Sequence, residues 1–240
     1  MTHTDTFDPT LFEKLKTAEE GHCWFVSRRK WILDRVSKRL ATGSSFLEVG
    51  CGTGNVSSFL SSYGYSVTGC EFYHHALRMA WPGFTRVQGS GLSLPFRDDS
   101  FDAAGLFDVL EHFDEDLTVL SEAARVIRAG GIIFITVPAR RELWSSFDVL
   151  SSHRRRYHSR DLSELIYRAG LSLVSLEYLF LSLYLPAMIS RKKQDNNPFV
   201  INSIANAVFG VFFQAERAIS KTIPLPMGTS LLAVATKTAP

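Results

Sequence analysis

The segment Glu48-Val49-Gly50-Cys51-Gly52-Thr53-Gly54 constrains the fold of this 240-residue chain more than any other. It follows a short apolar run, Phe46-Leu47-Glu48-Val49, and precedes a stretch of helical spacing from Val56 to Tyr63. Small residues at such a junction let the backbone turn sharply and approach a ligand closely. The expected order is strand, glycine turn, helix.

The same alternation continues along the chain. Tyr65 to Cys70 reads as a second strand, His74 to Trp81 as a helix, and Phe84 to Gln88 and Phe101 to Phe107 as the third and fourth strands. Glu115 to Ala129 places Leu117, Leu120, Ala124 and Ile127 on one face and is expected to be a helix stopped by Gly130-Gly131. The β-branched run Ile132 to Val137 suits a strand covered on both faces. Asp161 to Ala169 is a further helix, and Leu171 to Tyr178 and Ser230 to Lys237 complete seven strands. Strands alternating with helices imply an α/β, doubly wound, mostly parallel seven-stranded sheet with helices on both faces. There is no internal repeat or low-complexity tract. The whole of 1–240 is expected to form a single domain: 1–42 as an N-terminal helical lid, 43–179 and 229–240 as the core, and 180–228 as a helical insertion before the last strand.

Composition narrows the function classes. With 45% hydrophobic side chains and a formal net charge of +2, the chain can bury a sizeable core and gives nucleic acid little long-range attraction. Cys23, Cys51 and Cys70 are too few and too scattered for a disulfide framework, which suits a reducing, cytoplasmic setting. Met1 to Glu20 has no apolar run of the secretory kind, and Leu171 to Ile189 is interrupted by Glu177, serines and Pro186, a poor membrane span. No His and Cys cluster at zinc spacing is present, so no metal is expected.

The glycine spacing separates two cofactor classes. A nicotinamide fingerprint reads G-x-G-x-x-G, whereas Gly50, Gly52 and Gly54 give G-x-G-x-G with Glu48 two residues ahead. A dinucleotide needs amides aimed at two phosphates. S-adenosylmethionine has no phosphate and needs a donor for its carboxylate and an acceptor for its ammonium. From Phe46 to Ala139 the chain resembles the class I S-adenosylmethionine-dependent methyltransferases of the type 11/12-like superfamily, whose first motif is similar to Glu48 to Gly54. The resemblance implies a Rossmann-like fold, S-adenosylmethionine as cofactor and S-adenosylhomocysteine as product. It places Glu48, Gly50, Cys51, Gly52 and Gly54 at the cofactor, and Glu71 with Phe72 at the end of the second strand, where an acid accepts both ribose hydroxyls. The run Gly89-Ser90-Gly91-Leu92 matches a family segment that usually carries Asp where Ser90 stands, so the adenine contact has a hydroxyl in place of an ionised acceptor. Phe107 and Asp108 are expected to flank the cofactor. His112 reads either as a general base or as a packed loop histidine.

Two regions outside these motifs bear on the acceptor. Trp24, Phe25 and Trp31 accompany Arg28 ahead of the first strand, either buried on the sheet edge or closing over the cofactor. The pattern is similar to a subgroup of bacterial methyltransferases in which Trp24 and Arg28 would neighbour cofactor or substrate. After the fifth strand, His153, Arg155, Arg156 and Tyr157 lie on a loop at the edge where open α/β sheets bind ligands. The expectation is that His153 and Tyr157 serve catalysis and that Arg155 and Arg156 grip an anionic acceptor, unless the basic turn is merely solvated. The acceptor is a small molecule or a lipid- or sugar-linked one. In the insertion, Leu181 to Leu185 precede Arg191-Lys192-Lys193, and Phe199 to Phe213 is apolar. This pattern is read foremost as a cap over the pocket or a dimer contact and secondarily as a membrane-facing surface. Rival readings are a nicotinamide oxidoreductase and a non-catalytic partner subunit on the same fold.

Overall fold

A computed structural model describes residues 10–191 and 201–238. Lys192, Lys193 and Phe199, and the first nine residues of the expected lid, lie outside the described residues. The elements run α1 (Thr10–Gly21), α2 (Cys23–Ser37), β1 (Ser45–Val49), α3 (Asn55–Ser62), β2 (Ser66–Glu71), α4 (His74–Met79), β3 (Thr85–Gln88), β4 (Phe101–Phe107), α5 (Asp116–Val126), β5 (Ile127–Pro138), α6 (Ser146–Leu150), α7 (Ser159–Arg168), β6 (Leu171–Leu179), α8 (Tyr184–Ser190), α9 (Ser203–Ile219) and β7 (Ser230–Lys237).

The seven strands form one sheet in the order β3-β2-β1-β4-β5-β7-β6. Neighbours from β3 through β5 pair in parallel, and β7 runs antiparallel between β5 and β6. The expected doubly wound, mostly parallel sheet is thus present. Strand order reverses between β1 and β4, which opens a crevice outside their carboxyl ends.

Period-two alternation sorts the strand side chains into two cores. Ile133, Ile135 and Val137 of β5 join Leu231, Ala233 and Ala235 of β7 under Leu120 and Ala123 of α5 and Leu162 and Ile166 of α7. On the opposite face, Phe134, Leu232 and Val234 pack with Trp31, Ile32 and Val36 of α2, Leu60 of α3 and Phe213 of α9. Trp31 and Phe213 are fully buried, so α2 and α9 are structural parts of the second layer. Their docking is completed by the Arg217–Asp34 ion pair and by Asn206, whose side chain accepts from the Cys23 amide and donates to the Gly21 carbonyl.

One boundary differs from the sequence expectation. The helix before β5 ends at Val126, and Ile127 to Gly131 belong to the strand side of the junction. Phe101 pairs with Ile127 and Ala103 with Ile132, so extra residues loop out of β5 there. Gly130 takes a φ of +75°, and a Cβ on Gly131 would stand 2.7 Å from the Arg128 carbonyl oxygen. The glycines therefore serve a bulge and not a helix cap. Among the described residues, no helix is long and apolar enough to cross a membrane.

Candidate active site

The loop after β1 sits at the switch point of the sheet. The amides of Gly50 and Cys51 donate to the Cys70 carbonyl, fastening the loop to the end of β2. Gly50, Gly52 and Gly54 all take positive φ. At Gly54 the requirement is doubled, because a Cβ there would stand 2.2 Å from the Phe84 ring. The loop folds back onto Glu71, whose Oε2 accepts from the Gly52 amide at 2.8 Å while Oε1 accepts from the Tyr73 amide at 3.0 Å. Those bonds fix the carboxylate at the mouth of β2 and leave acceptor capacity on both oxygens. Burial raises the Glu71 carboxyl above its ordinary value, with the amide bonds pulling it back.

A cleft of about 1050 Å³ runs from this loop past the ends of β1 and β4. Glu48, Gly50, Cys51, Gly52, Glu71, Phe72, Ser90, Gly91 and Leu92 line its first half. Glu48 accepts a hydrogen bond from the Ser57 hydroxyl, and burial lifts its carboxyl to about 7. The Ser90 hydroxyl accepts from the Leu92 amide, which holds this turn beside the cleft. Gly54 lies behind the loop and does not face the cleft.

Helix α2 reaches across the middle of the cleft. Arg28 stands with Nε 2.6 Å from Asp108 Oδ2, donates to the Phe107 carbonyl at 2.7 Å and lies 5.1 Å from the Trp24 ring centre. Trp24, Arg28, Phe107 and Asp108 all line the cleft. Asp108 itself takes a φ of +57°, in the left-handed region, and accepts from the Thr136 hydroxyl. Non-glycine residues held there concentrate at functional sites because the surroundings must offset the strain.

The far half of the cleft gathers Glu111, His112, His153 and Arg156. His153 Nδ1 lies 2.9 Å from Asp148 Oδ1, and Arg156 Nε donates to that same oxygen at 2.8 Å. Burial, with His153 second, holds the His112 pKa down to about 3, so its imidazole is neutral. Tyr157 and Arg155 do not line the cleft. Tyr157 is buried and donates to Asp116 Oδ2 at 2.8 Å, and burial, with the Asp116 charge second, pushes its phenol above the ordinary value. Arg155 pairs with the same Asp116 at 3.0 Å. The 3-10 turn before α8, α8 itself and the residue after it cover this half through Leu183, Ala187, Ser190 and Arg191.

Residues the sequence reading passed over are also here. Glu19 of α1 accepts from the Thr53 hydroxyl and from the Trp81 indole at 2.8 Å, tying the N-terminal helix to the glycine loop. Glu111 and Asp148 are both fully buried. A Glu-His pair after β4 was visible in the sequence, but nothing in its spacing announced that residue 153 would meet it.

A glycine loop at the switch point, with an acid pinned at the end of the next strand, defines a Rossmann-like domain for a nucleoside-bearing cofactor. A methyltransferase-domain family model matches residues 47–135. A probable S-adenosylmethionine-dependent methyltransferase of Mycolicibacterium smegmatis is 30% identical over 158 residues, covering 64% of this chain and 60% of that protein. The demethylmenaquinone methyltransferase of Corynebacterium kroppenstedtii is 39% identical over 93 residues, 37% of this chain and 39% of its own length. Among solved structures, the phosphoethanolamine N-methyltransferase 2 of Haemonchus contortus, in complex with S-adenosyl-L-methionine, superposes with a TM-score of 0.68 at 17% identity, covering 98% of this chain and 59% of that one. That likeness shows the fold alone. Residues 47–135 thus carry the pattern of a methyltransferase domain, and the chain is similar to proteins named as S-adenosylmethionine-dependent methyltransferases, whose cofactor is S-adenosylmethionine. The match spans about three fifths of the length of the first curated relatives.

The residues present suit that cofactor. The two anchored oxygens of Glu71 can each accept a ribose hydroxyl, and Glu48 offers a carboxylate to an ammonium.

Proposed function

We propose that this protein methylates a small-molecule acceptor bearing a hydroxyl, held in the half of the cleft lined by Glu111, His112 and His153. The observation that carries the reading is the continuity of one cleft from the glycine loop and Glu71 to that polar pocket, past Arg28 and Asp108. Curated relatives named for methylation in quinone biosynthesis support a small molecule over a macromolecule. The acceptor atom and the cytoplasmic setting are part of the proposal, the latter supported by three buried free cysteines.

Bound S-adenosylmethionine supplies an already activated methyl group, so the protein's work is chiefly positioning and exclusion of water. In this reading Glu71 holds the ribose, Glu48 the ammonium, and the Gly91-Leu92 turn with Ser90 the adenine edge. Arg28 and Asp108 fix the wall at the midpoint, where the two reactants meet. Helix α1 serves as a lid, anchored to the glycine loop by Glu19, while α2 and α9 build the second layer, and Leu183 and Arg191 of the insertion close the acceptor half. The capping contacts favour this role for the insertion over a membrane-facing one.

Isothermal titration of the purified protein with S-adenosylmethionine and S-adenosylhomocysteine tests the cofactor half. Saturable binding is expected, weakened about 100-fold in Glu71→Ala, since a buried charged acceptor is lost to two hydroxyls. Folded wild-type protein that gives no heat with either ligand would remove the basis for the reading. A hydroxyl-bearing acceptor panel, scored by methyl transfer, then tests the other half.

A further inference from the structure

Glu111 is fully buried, and neither of its side-chain oxygens has a hydrogen-bond partner. Native proteins rarely leave a buried carboxylate in that state, because desolvation is then uncompensated. Two imidazoles stand beside it on the cleft side, and the Asp108 carboxylate and the Arg28 and Arg156 guanidinium groups also act on it electrostatically. One ligand atom each from Glu111, His112 and His153 lie within 4.8 Å of one another, and His153 Nε2 stands 4.0 Å from Glu111 Oε1. That gap is too long for a hydrogen bond. Two ligands each about 2.1 Å from one cation, however, sit roughly 3–4.2 Å apart, so a small adjustment closes the group around an ion.

The surroundings point the same way. The other nitrogen of His153, Nδ1, faces Asp148 Oδ1, which directs Nε2 toward Glu111. Asp148 is itself fixed by Arg156 and by the Ser145 amide at 2.9 Å. A carboxylate behind an imidazole is the arrangement that orients metal-ligating histidines. The Arg154 amide donates to the Glu111 carbonyl at 2.7 Å, locking the loop that carries His153 onto the turn that carries the other two groups.

We propose that Glu111, His112 and His153 bind one divalent transition-metal cation, which takes an oxygen of the methyl acceptor as a further ligand. Two imidazoles and one carboxylate, with no sulfur, suit Zn²⁺ or Mn²⁺ better than Ca²⁺ or Mg²⁺, which prefer oxygen ligands. Three protein ligands leave a position open toward the cleft, as catalytic metal sites require. The acceptor's place on the cation rests on the methyl-transfer reading above, whereas the cation site itself does not.

Protein stripped with a chelator and dialysed is titrated calorimetrically with Zn²⁺ and, separately, with Mn²⁺. One equivalent is expected to bind, and binding is expected to vanish in Glu111→Gln and in the His112→Ala/His153→Ala double variant. In Asp148→Asn, a positioning residue, affinity should fall about 10- to 100-fold. Glu111→Gln keeps the side chain's shape and removes a buried charge, so circular dichroism should show it folded even if the double variant is not. No saturable binding by the wild type, or unchanged affinity in Glu111→Gln, overturns the site. S-adenosylhomocysteine titrated into the same stripped samples separates the two claims. Its binding without metal binding sinks the cation site alone. Metal binding without it retains the cation and removes the methyl-transfer role.

Discussion

Glu71 and Glu111 occupy the two ends of one cleft, both buried and both raised above the ordinary carboxylate value chiefly by desolvation. Their surroundings are opposite. Glu71 receives two backbone amides and is finished before any ligand arrives, while Glu111 has no hydrogen-bond partner on either oxygen. A pinned carboxylate with spare acceptor capacity is organised for neutral hydroxyls, which need geometry more than charge. An unpaired one beside two imidazoles is organised for a cation. On the proposed reading, the cleft combines a rigid cofactor end with an acceptor end in which Glu111 is left without a hydrogen-bond partner.

Arg28 joins the two ends, and removing it should have the largest effect. Arg28→Ala strips Asp108 and the Phe107 carbonyl of their cation, and a loss of about 3 kcal/mol is expected in denaturant unfolding, with weaker S-adenosylhomocysteine binding as well. Stability lost with cofactor affinity intact would show that Arg28 serves the fold and not the junction of the two ends.

Glu48 sharpens the contrast on the cofactor side. Its carboxyl, lifted to about 7 chiefly by burial and secondarily by Glu19, is pulled back by Ser57 and Arg28. A raised carboxyl takes up a proton on folding, so it opposes folding once pH exceeds the unfolded value near 4.5, fully so above pH 7. Glu48→Gln should therefore stabilise the ligand-free protein by about 2–3 kcal/mol at pH 8 and by almost nothing at pH 4. A gain of equal size at both pH values would break the link to charge at this position.

The smallest effect distinguishes neighbouring arginines. Arg155 is spent on Asp116 outside the cleft, so Arg155→Ala should change stability by about 0.5 kcal/mol or less and leave acceptor KM within about twofold. Arg156 faces the cleft and holds Asp148 behind His153, so Arg156→Ala should raise acceptor KM several-fold more. Equal increases from both would mean that the loop grips an anionic acceptor as a unit.

The glycine loop and the placement of Glu71 were largely legible because their signals are local. A glycine loop must follow a strand and precede a helix, and Glu71 must end β2 whichever way the rest of the chain packs. The alternation of strands likewise announced the sheet. Gly130-Gly131 misled because a glycine pair ends a helix or opens a bulge equally well, and only the pairing of Phe101 with Ile127 selects the bulge. His153, Arg155, Arg156 and Tyr157 formed one basic loop in the sequence. The fold turns Tyr157 and Arg155 to Asp116 but leaves His153 and Arg156 at the cleft with Asp148 behind them.

The sequence by itself determined the order of the core strands, the glycine loop and the acid at the end of β2 that meets it, because each depends on residues within one turn or one strand. Only the tertiary structure decided that α1 reaches the loop through Glu19, that α8 helps roof the cleft, and that Glu111, His112 and His153 meet. Those contacts join residues far apart in the chain, and their side-chain directions are set by packing against elements that no local pattern names.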